Sequence, residues 1–390
     1  MDKKYIDNEE KNGLIYDFNR IRKEFNKLKI PTQYYNPLCM PLEKCKYFVD
    51  LSERSTGKTT NLILLGMIFN KLYGTEIQYI RQKEDMIAPK SSRDLFTVIL
   101  ENHYIEKITE GKYNSVILKS RRWYYSKIDS EGNIIEQAQT HFMFMCTLEK
   151  AENLKSSYNA PFGDFIIFDE FIGKYYYPNE FVIFCDLVKT IIRDRQSPLI
   201  FLLANTINKH STYFNELGIY DTIQFMNWGD KEIITTEKGT CIYIELIGTK
   251  KDTVKKKVNK LFFGFNNPSL ASITGGDWAI DNYPHILTDC VKTNTLNYSY
   301  IFHNNKIVQM EVKQIAGIGT VCELHWCKKI KEGEKVYCIS AIEKPNYFYK
   351  LGFTKYDKFI WNLYKKNKFY YSTNDVGDFV KNYINECMKL

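Results

Sequence analysis

The chain of 390 residues contains no apolar run approaching the roughly 18 residues a membrane-spanning helix needs, and its lysine-rich, acid-containing start lacks the apolar core of a signal peptide. An intracellular protein is expected. Paired C-x2-C spacing is absent too. The ten cysteines stand singly at Cys39, Cys45, Cys146, Cys185, Cys241, Cys290, Cys322, Cys327, Cys338 and Cys387, which argues against a disulfide framework. The nearest approach to a zinc site, Cys322-Glu323-Leu324-His325-Trp326-Cys327 with Cys338 beyond, reads as a strand with mixed faces. Arginine is missing from the second half, all nine lying at or before Arg195. Lys+Arg balance Asp+Glu at 30 and 30 over residues 1–230 but exceed them by 24 to 16 over 231–390, so the formal +8 belongs to the later part. That shift marks a change of module, because guanidinium suits bidentate phosphate contacts whereas a lysine-rich surface attracts polyanions diffusely.

What is present is led by one stretch. The apolar run ending at Val49 and Leu51 feeds Ser52-Glu53-Arg54-Ser55-Thr56-Gly57-Lys58-Thr59, and a helical pattern begins at once. Strand, loop and helix in that order make a phosphate-binding loop. Ser52, Arg54, Ser55, Thr56 and Gly57 would cradle the phosphates of ATP, Lys58 would reach the terminal ones, and the Thr59 hydroxyl would ligate Mg²⁺. Ser52 replaces the glycine that the strict pattern places first. Further on, Phe165-Ile166-Ile167-Phe168 reads as a strand buried on both faces and ends in Asp169-Glu170. Asp169 suits a Mg²⁺ ligand, and Glu170 suits the group that orients or deprotonates an attacking water. Together the two motifs indicate an ATPase.

Residues 14–28 carry a charged helical pattern, followed by Pro31, Pro37 and Pro41, and look like an N-terminal appendage. Strand 47–51, helix 58–72 and strand 77–81 follow in βαβ fashion, and Asp129-Ser130-Glu131-Gly132-Asn133 signals a hairpin. A helix over 184–192 and a buried strand over 199–204 come next, the latter ending at Asn205. Strand-forming sequence between the two motifs, with Glu170 after Asp169, indicates the additional-strand, catalytic-glutamate class of P-loop NTPase. Asn205 would then sense the γ-phosphate or hold the attacking water. Residues 223–226, 233–236 and 241–247 read as strands, 250–260 as a lysine-dense helix, and 298–302, 307–312 and 321–326 as an antiparallel meander before helices over 356–366 and 375–388. The expected organisation is an ATPase domain over 1–250, a lid or linker over 251–290 and an α+β domain over 291–390.

Ser-x4-Gly-Lys-Thr, Leu154-Lys155-Ser156-Ser157 before Phe-Ile-Ile-Phe-Asp-Glu, Arg193-Asp194-Arg195 after a helix, and Phe201-Leu202-Leu203-Ala204-Asn205 resemble the DNA-packaging ATPases of small tailed phages of the Picovirinae type. The resemblance covers about residues 45–210 well and the remainder loosely. It implies a terminase-like motor that forms a homo-oligomeric ring, a pentamer, at the portal vertex of a prohead and drives double-stranded DNA inward with ATP and Mg²⁺. Whether a structural RNA joins the assembly stays open, as do two alternatives: a terminase that also cuts DNA, and another DNA-dependent ring ATPase such as a helicase. Roles transfer onto Lys58, Thr59, Asp169 and Glu170. A ring ATPase also takes a cation in trans, for which Arg193 and Arg195 are the candidates and Lys155 a second one.

A motor must grip DNA through phosphates rather than base edges. Lys119, Arg121 and Arg122 beside Trp123, Tyr124 and Tyr125 form one candidate group, and Arg81, Lys83, Lys90 and Arg93 the other. In the wider terminase family the C-terminal place holds an RNase H-like nuclease, whose chemistry needs several carboxylates around two metals. Here the expected strands supply only Glu311 and Glu323, which suggests the fold without the activity.

Overall fold

The computed structural model describes residues 16–52, 56–155, 163–172, 179–193, 195, 198–205, 211–247, 283–286, 293–339, 342, 344–352 and 354–387. The chain divides into two compact units. One comprises Met1–Gly173, Asn179–Thr206 and Phe225–Asp252, the other Lys174–Pro178, Ile207–Gln224 and Thr253–Leu390. The division is therefore not a single cut near residue 250: Ile207–Gln224 goes with the second unit, and Phe225–Asp252 with the first.

Ten strands among the described residues build the first unit's sheet: β1 (Tyr47–Ser52), β2 (Ile77–Arg81), β3 (Ser115–Lys119), β4 (Arg122–Ile128), β5 (Ile134–Gln137), β6 (Met143–Thr147), β7 (Phe165–Asp169), β8 (Leu199–Ala204), β9 (Lys231–Thr235) and β10 (Cys241–Ile247). Their order is β3-β4-β6-β2-β7-β8-β1-β10-β9, with β5 beside β4. From β6 to β10 the neighbours run parallel, and antiparallel strands finish both edges. β8 and the first four residues of β7 read as unbroken apolar runs because both faces are covered, while β1 and β2 carry buried polar side chains within theirs, Asp50 and Gln78. All five residues of β7 are buried, and each large apolar side chain so removed from water contributes about 1.5–3 kcal/mol.

Helix α1 (Phe18–Asn26) starts at Asp17, whose side chain caps it by accepting from the Arg20 amide. Its buried Ile21 and Phe25 join the main core, and Lys71 on α2 (Lys58–Tyr73) pairs with Glu24 at 3.1 Å. What reads in sequence as an appendage is thus an integral layer of the first unit. Helix α3 (Glu180–Ile192) buries Phe184, Leu187, Val188 and Ile191, the expected stripe.

The second unit holds α4 (Thr212–Glu216), α5 (Tyr220–Phe225) and a six-stranded sheet. Residues 223–226 were expected as a strand, but Ile223 lies in the last turn of α5, its amide bonded to the Ile219 carbonyl at 3.1 Å. Four residues of which three are apolar do not distinguish a strand from a helical turn. The sheet contains β11 (Thr293–His303), β12 (Lys306–Ile315), β13 (Gly319–Cys327), β14 (Lys335–Cys338), β15 (Tyr347–Tyr349) and β16 (Phe369–Tyr371), in the order β15-β14-β11-β12-β13-β16. β11 to β13 form the expected meander, while β14 runs parallel to β11 and β15 parallel to β14. Helices α6 (Lys355–Lys365) and α7 (Asn374–Cys387) pack Ile360, Val376, Phe379 and Tyr383 with Met310 and Leu324 of the sheet. The lysine-dense stretch over 250–260 and most of the expected linker lie outside the described residues. Among the described residues, no helix is long and apolar enough to cross a membrane.

Candidate nucleotide site

Parallel pairing brings three strand ends together. Leu51 of β1 stands opposite Ala204 of β8, and Leu203 opposite Asp169 of β7, so Ser52, Asn205 and Asp169 emerge at one edge of three adjacent strands. Gly57, at φ 78°, turns the loop into α2 with a conformation that suits glycine, and Lys58 opens the helix.

Lys58 is 3% exposed, and its Nζ donates to Ser52 Oγ at 2.9 Å, to the Ala204 carbonyl at 2.5 Å and to Asn205 Oδ1 at 2.7 Å. Those three acceptors carry no formal charge. Burial consequently lowers the ammonium pKa to about 8, against the pull of Asp169, Asp50 and Glu170. A buried cation hydrogen-bonded to neutral partners at the mouth of a helix suits an anionic phosphate. Ser52, in the place of glycine, gives its hydroxyl to Lys58 and lies 3.1 Å from Thr56 Oγ1, so the departure from the strict pattern adds a hydrogen-bonding group. Arg54 and Ser55 lie outside the described residues.

Asp169 and Glu170 differ sharply in setting. Asp169 is buried, and its Oδ1 accepts from Thr59 Oγ1 at 3.3 Å while its Oδ2 accepts from Tyr79 Oη at 2.6 Å and Arg81 Nη1 at 3.2 Å. The Thr59 hydroxyl and Asp169 carboxylate together form a hard-oxygen pair of the kind Mg²⁺ takes. Glu170 is more open and sits at φ 54°, a left-handed conformation that costs a non-glycine residue about 1 kcal/mol and turns its side chain out of the strand. Its Oε2 accepts from Arg81 Nη2 at 2.6 Å, and its Oε1 faces Asn205 Nδ2 at 3.4 Å. Asn205 therefore touches both Lys58 and Glu170.

Arg81, expected among the DNA-gripping cations, belongs instead to this cluster. One guanidinium bridges both carboxylates, and Tyr79, Asp169 and Glu170 more than offset the effect of burial, raising its pKa. Its place at the end of β2, which pairs with the Asp-Glu strand β7, is set by the sheet order.

The remaining candidates are placed differently. Arg195 is not free to reach outward: its Nε pairs with Asp164 Oδ1 at 2.5 Å and its Nη2 donates to the Ile191 carbonyl at 2.7 Å, with both charged side chains 11% exposed. This corrects the expectation of a finger there. Arg193 is exposed and ends α3 at φ 48°. Lys155 ends a short helix over 151–155, its side chain outside the described residues. In the β3–β4 hairpin, Lys119 is bonded to Gln137, Arg121 is paired with Glu84, and Arg122 lies 5.0 Å over the Phe144 ring. Trp123 and Tyr125 are core residues. These cations cover a packed strand rather than presenting an open stripe. Lys83 lies just before a 3-10 turn at 84–87. The side chains of Lys90 and Arg93 lie outside the description.

No protein-family model and no curated protein matches the sequence. Solved structures do. The phi-28 gp11 DNA packaging motor matches over 92% of this chain and 98% of its own, with a TM-score of 0.52 at 16% identity. The bacteriophage phi-29 viral genome packaging motor assembly matches over 91% and 100%, with a TM-score of 0.51 at 15% identity. This chain shares their fold. The resemblance read from the motifs thus has a counterpart in three dimensions, extending beyond residues 45–210 to nearly the whole chain.

Proposed function

We propose that the protein is an ATP-driven motor that packages double-stranded viral DNA into a prohead. The observation that carries this reading is the convergence of Lys58, Thr59, Asp169, Glu170 and Asn205 at one sheet edge within the fold of two packaging motors. Strand order supports the additional-strand class, since β8 lies between the phosphate-loop strand and the Asp-Glu strand and carries Asn205 beyond its tip.

In this reading the loop amides and Lys58 bind the ATP phosphates, and Thr59 and Asp169 hold Mg²⁺. When bound, the ion neutralises charge on the phosphate oxygens. Glu170, more exposed than Asp169 and poised beside Asn205, accepts the proton of the attacking water, while Asn205 orients it. Arg193 is the remaining candidate for a cation supplied in trans within a homo-oligomeric ring seated on a portal. In the second unit, the β15-β14-β11-β12-β13 order, with β11 to β13 antiparallel and β14 and β15 parallel to β11, supports an RNase H-like domain. Glu311 and Glu323, the acids a cutting terminase would need, are bound to Lys313 at 2.9 and 2.7 Å.

The test separates binding from turnover. Lys58→Ala should lose nucleotide affinity, whereas Glu170→Gln should bind ATP normally and lose turnover by about 10²-fold or more. Equal hydrolysis by Glu170→Gln and the wild type would remove the catalytic assignment.

A further inference from the structure

Beneath the phosphate loop lies a pair of carboxyl groups that the chemistry above does not use. Asp50 on β1 and Glu245 on β10 stand opposite one another on adjacent parallel strands, and are 0% and 5% exposed. Two like charges so close and so dry do not both ionise readily. Burial, and then the neighbouring Glu245, pushes the Asp50 carboxyl well above the usual carboxylate range. Glu245 is the better-bonded member: Lys231 Nζ lies 3.0 Å from its Oε1, and Tyr243 Oη donates to its Oε2 at 2.8 Å.

Tyr35 reaches into this pair from the segment after α1. Its hydroxyl lies 3.1 Å from Glu245 Oε2 and 3.4 Å from Asp50 Oδ2. Burial and both carboxyls push its phenol well above the ordinary tyrosine value, so it stays a donor. The main chain of the same residue holds the nucleotide elements. Its N–H donates to the Thr56 carbonyl at 2.9 Å, and its C=O accepts from Asn61 Nδ2 at 2.5 Å. Thr56 is in the phosphate loop, and Asn61 is in the first turn of α2. Next to it, the Tyr34 ring approaches to 3.1 Å of where a Cβ on Gly57 would stand.

We propose that Tyr35 is a positioning residue of the phosphate loop, its hydroxyl anchored in the Asp50–Glu245 pair so that its main chain fixes Thr56 and Asn61 for nucleotide. A loop ordered in advance spares the entropy of ordering it on binding, which strengthens ground-state affinity. The water-handling groups, Glu170 and Asn205, are untouched by this anchor. Tyr35 should therefore govern KM and Kd for ATP rather than kcat.

This inference rests on the ATPase reading, and the experiment separates the two. Hydrolysis of ATP and equilibrium binding of a non-hydrolysable analogue are measured on the full chain. Tyr35→Phe should raise Kd and KM about three- to tenfold, as expected for one buried hydrogen bond, with kcat within about twofold. Glu245→Gln, which keeps an acceptor for the tyrosine, should stay closer to the wild-type Kd than Glu245→Leu does. If Tyr35→Phe does not fold, that comparison decides, and equal Kd for the two Glu245 variants overturns the proposal. An unchanged Kd in folded Tyr35→Phe, or a loss confined to kcat, overturns the anchor alone. A wild-type chain that binds no ATP overturns the ATPase reading and the anchor with it.

Discussion

Arg81 holds two carboxylates that have different tasks in the proposed turnover, Asp169 staying with the metal while Glu170 handles water. Its planar fork presents a separate nitrogen to each, Nη1 to Asp169 and Nη2 to Glu170, whereas a lysine would have to serve both from one ammonium. Arg81→Ala should cut kcat about tenfold or more while changing the Kd for ATP little, because Lys58 and the loop keep their places. Arg81→Lys should recover only part of the loss, and steady-state hydrolysis beside analogue binding checks both. Lys58, Thr59, Asp169 and Glu170 were legible because their spacing and flanking strands carry the signal. Arg81 was not, since a cation at a strand end gives no sign in sequence of which neighbouring strand it will face. The same holds for Arg193 and Arg195, two residues apart and alike in sequence. Asp164 faces burial that raises its pKa, opposed by Arg195, so Arg195→Ala leaves a buried carboxyl unpaired and should lower stability by up to about 3 kcal/mol. Arg193→Ala should bind ATP but lose turnover. Mixing it with Glu170→Gln subunits should restore some hydrolysis, and mixing Arg195→Ala should not.

Elements were most readable where a strand is buried on both faces. β8 matches its expected bounds because an unbroken apolar run of six residues leaves little choice, and β2 and β10 match theirs although Gln78 and Glu245 interrupt the apolar sequence. The β11–β12 hairpin turns on Asn304 and Asn305, both in the left-handed region that the tight primed turn demands. How closely α2 lies on the sheet was not readable. Gly66 faces Ile77 and Phe165, and a Cβ there would stand 2.7 Å from Ile77 Cδ1 and 3.0 Å from Phe165 Cδ1. Replacing glycine by alanine within a helix ordinarily gains about 1 kcal/mol. Forcing a methyl into a packed core costs about 1–3 kcal/mol, so the steric effect should win. Gly66→Ala should lower the unfolding midpoint of the first unit in denaturant, whereas an alanine at Gly74 would meet no neighbouring atom and test only its left-handed backbone.

For the whole molecule, the shift from arginine to lysine suggested a change of module, but not that Ile207–Gln224 would belong to the second unit. The reason is a contact between distant residues: Lys306, at the start of β12, donates to Gln224 at 3.3 Å and lies over the rings of Tyr220 and Trp326. Scarcity of acids in the later strands pointed toward a domain that does not cut, and the described residues carry that argument further. Glu311 is drawn below the usual carboxylate range because bonds from Lys313 and His325 outweigh its burial, and Glu323 shares the same lysine. A carboxylate already neutralised by a neighbouring ammonium is a poor ligand for a divalent ion, and two-metal hydrolysis needs several unneutralised ones together. The full chain incubated with plasmid and Mn²⁺ should therefore leave it uncut while binding DNA weakly and with steep salt dependence. Nicking that EDTA abolishes, and that Glu311→Gln or Glu323→Gln also abolishes, would instead mean that the Lys313 network opens to admit metal and that the motor cuts what it packages.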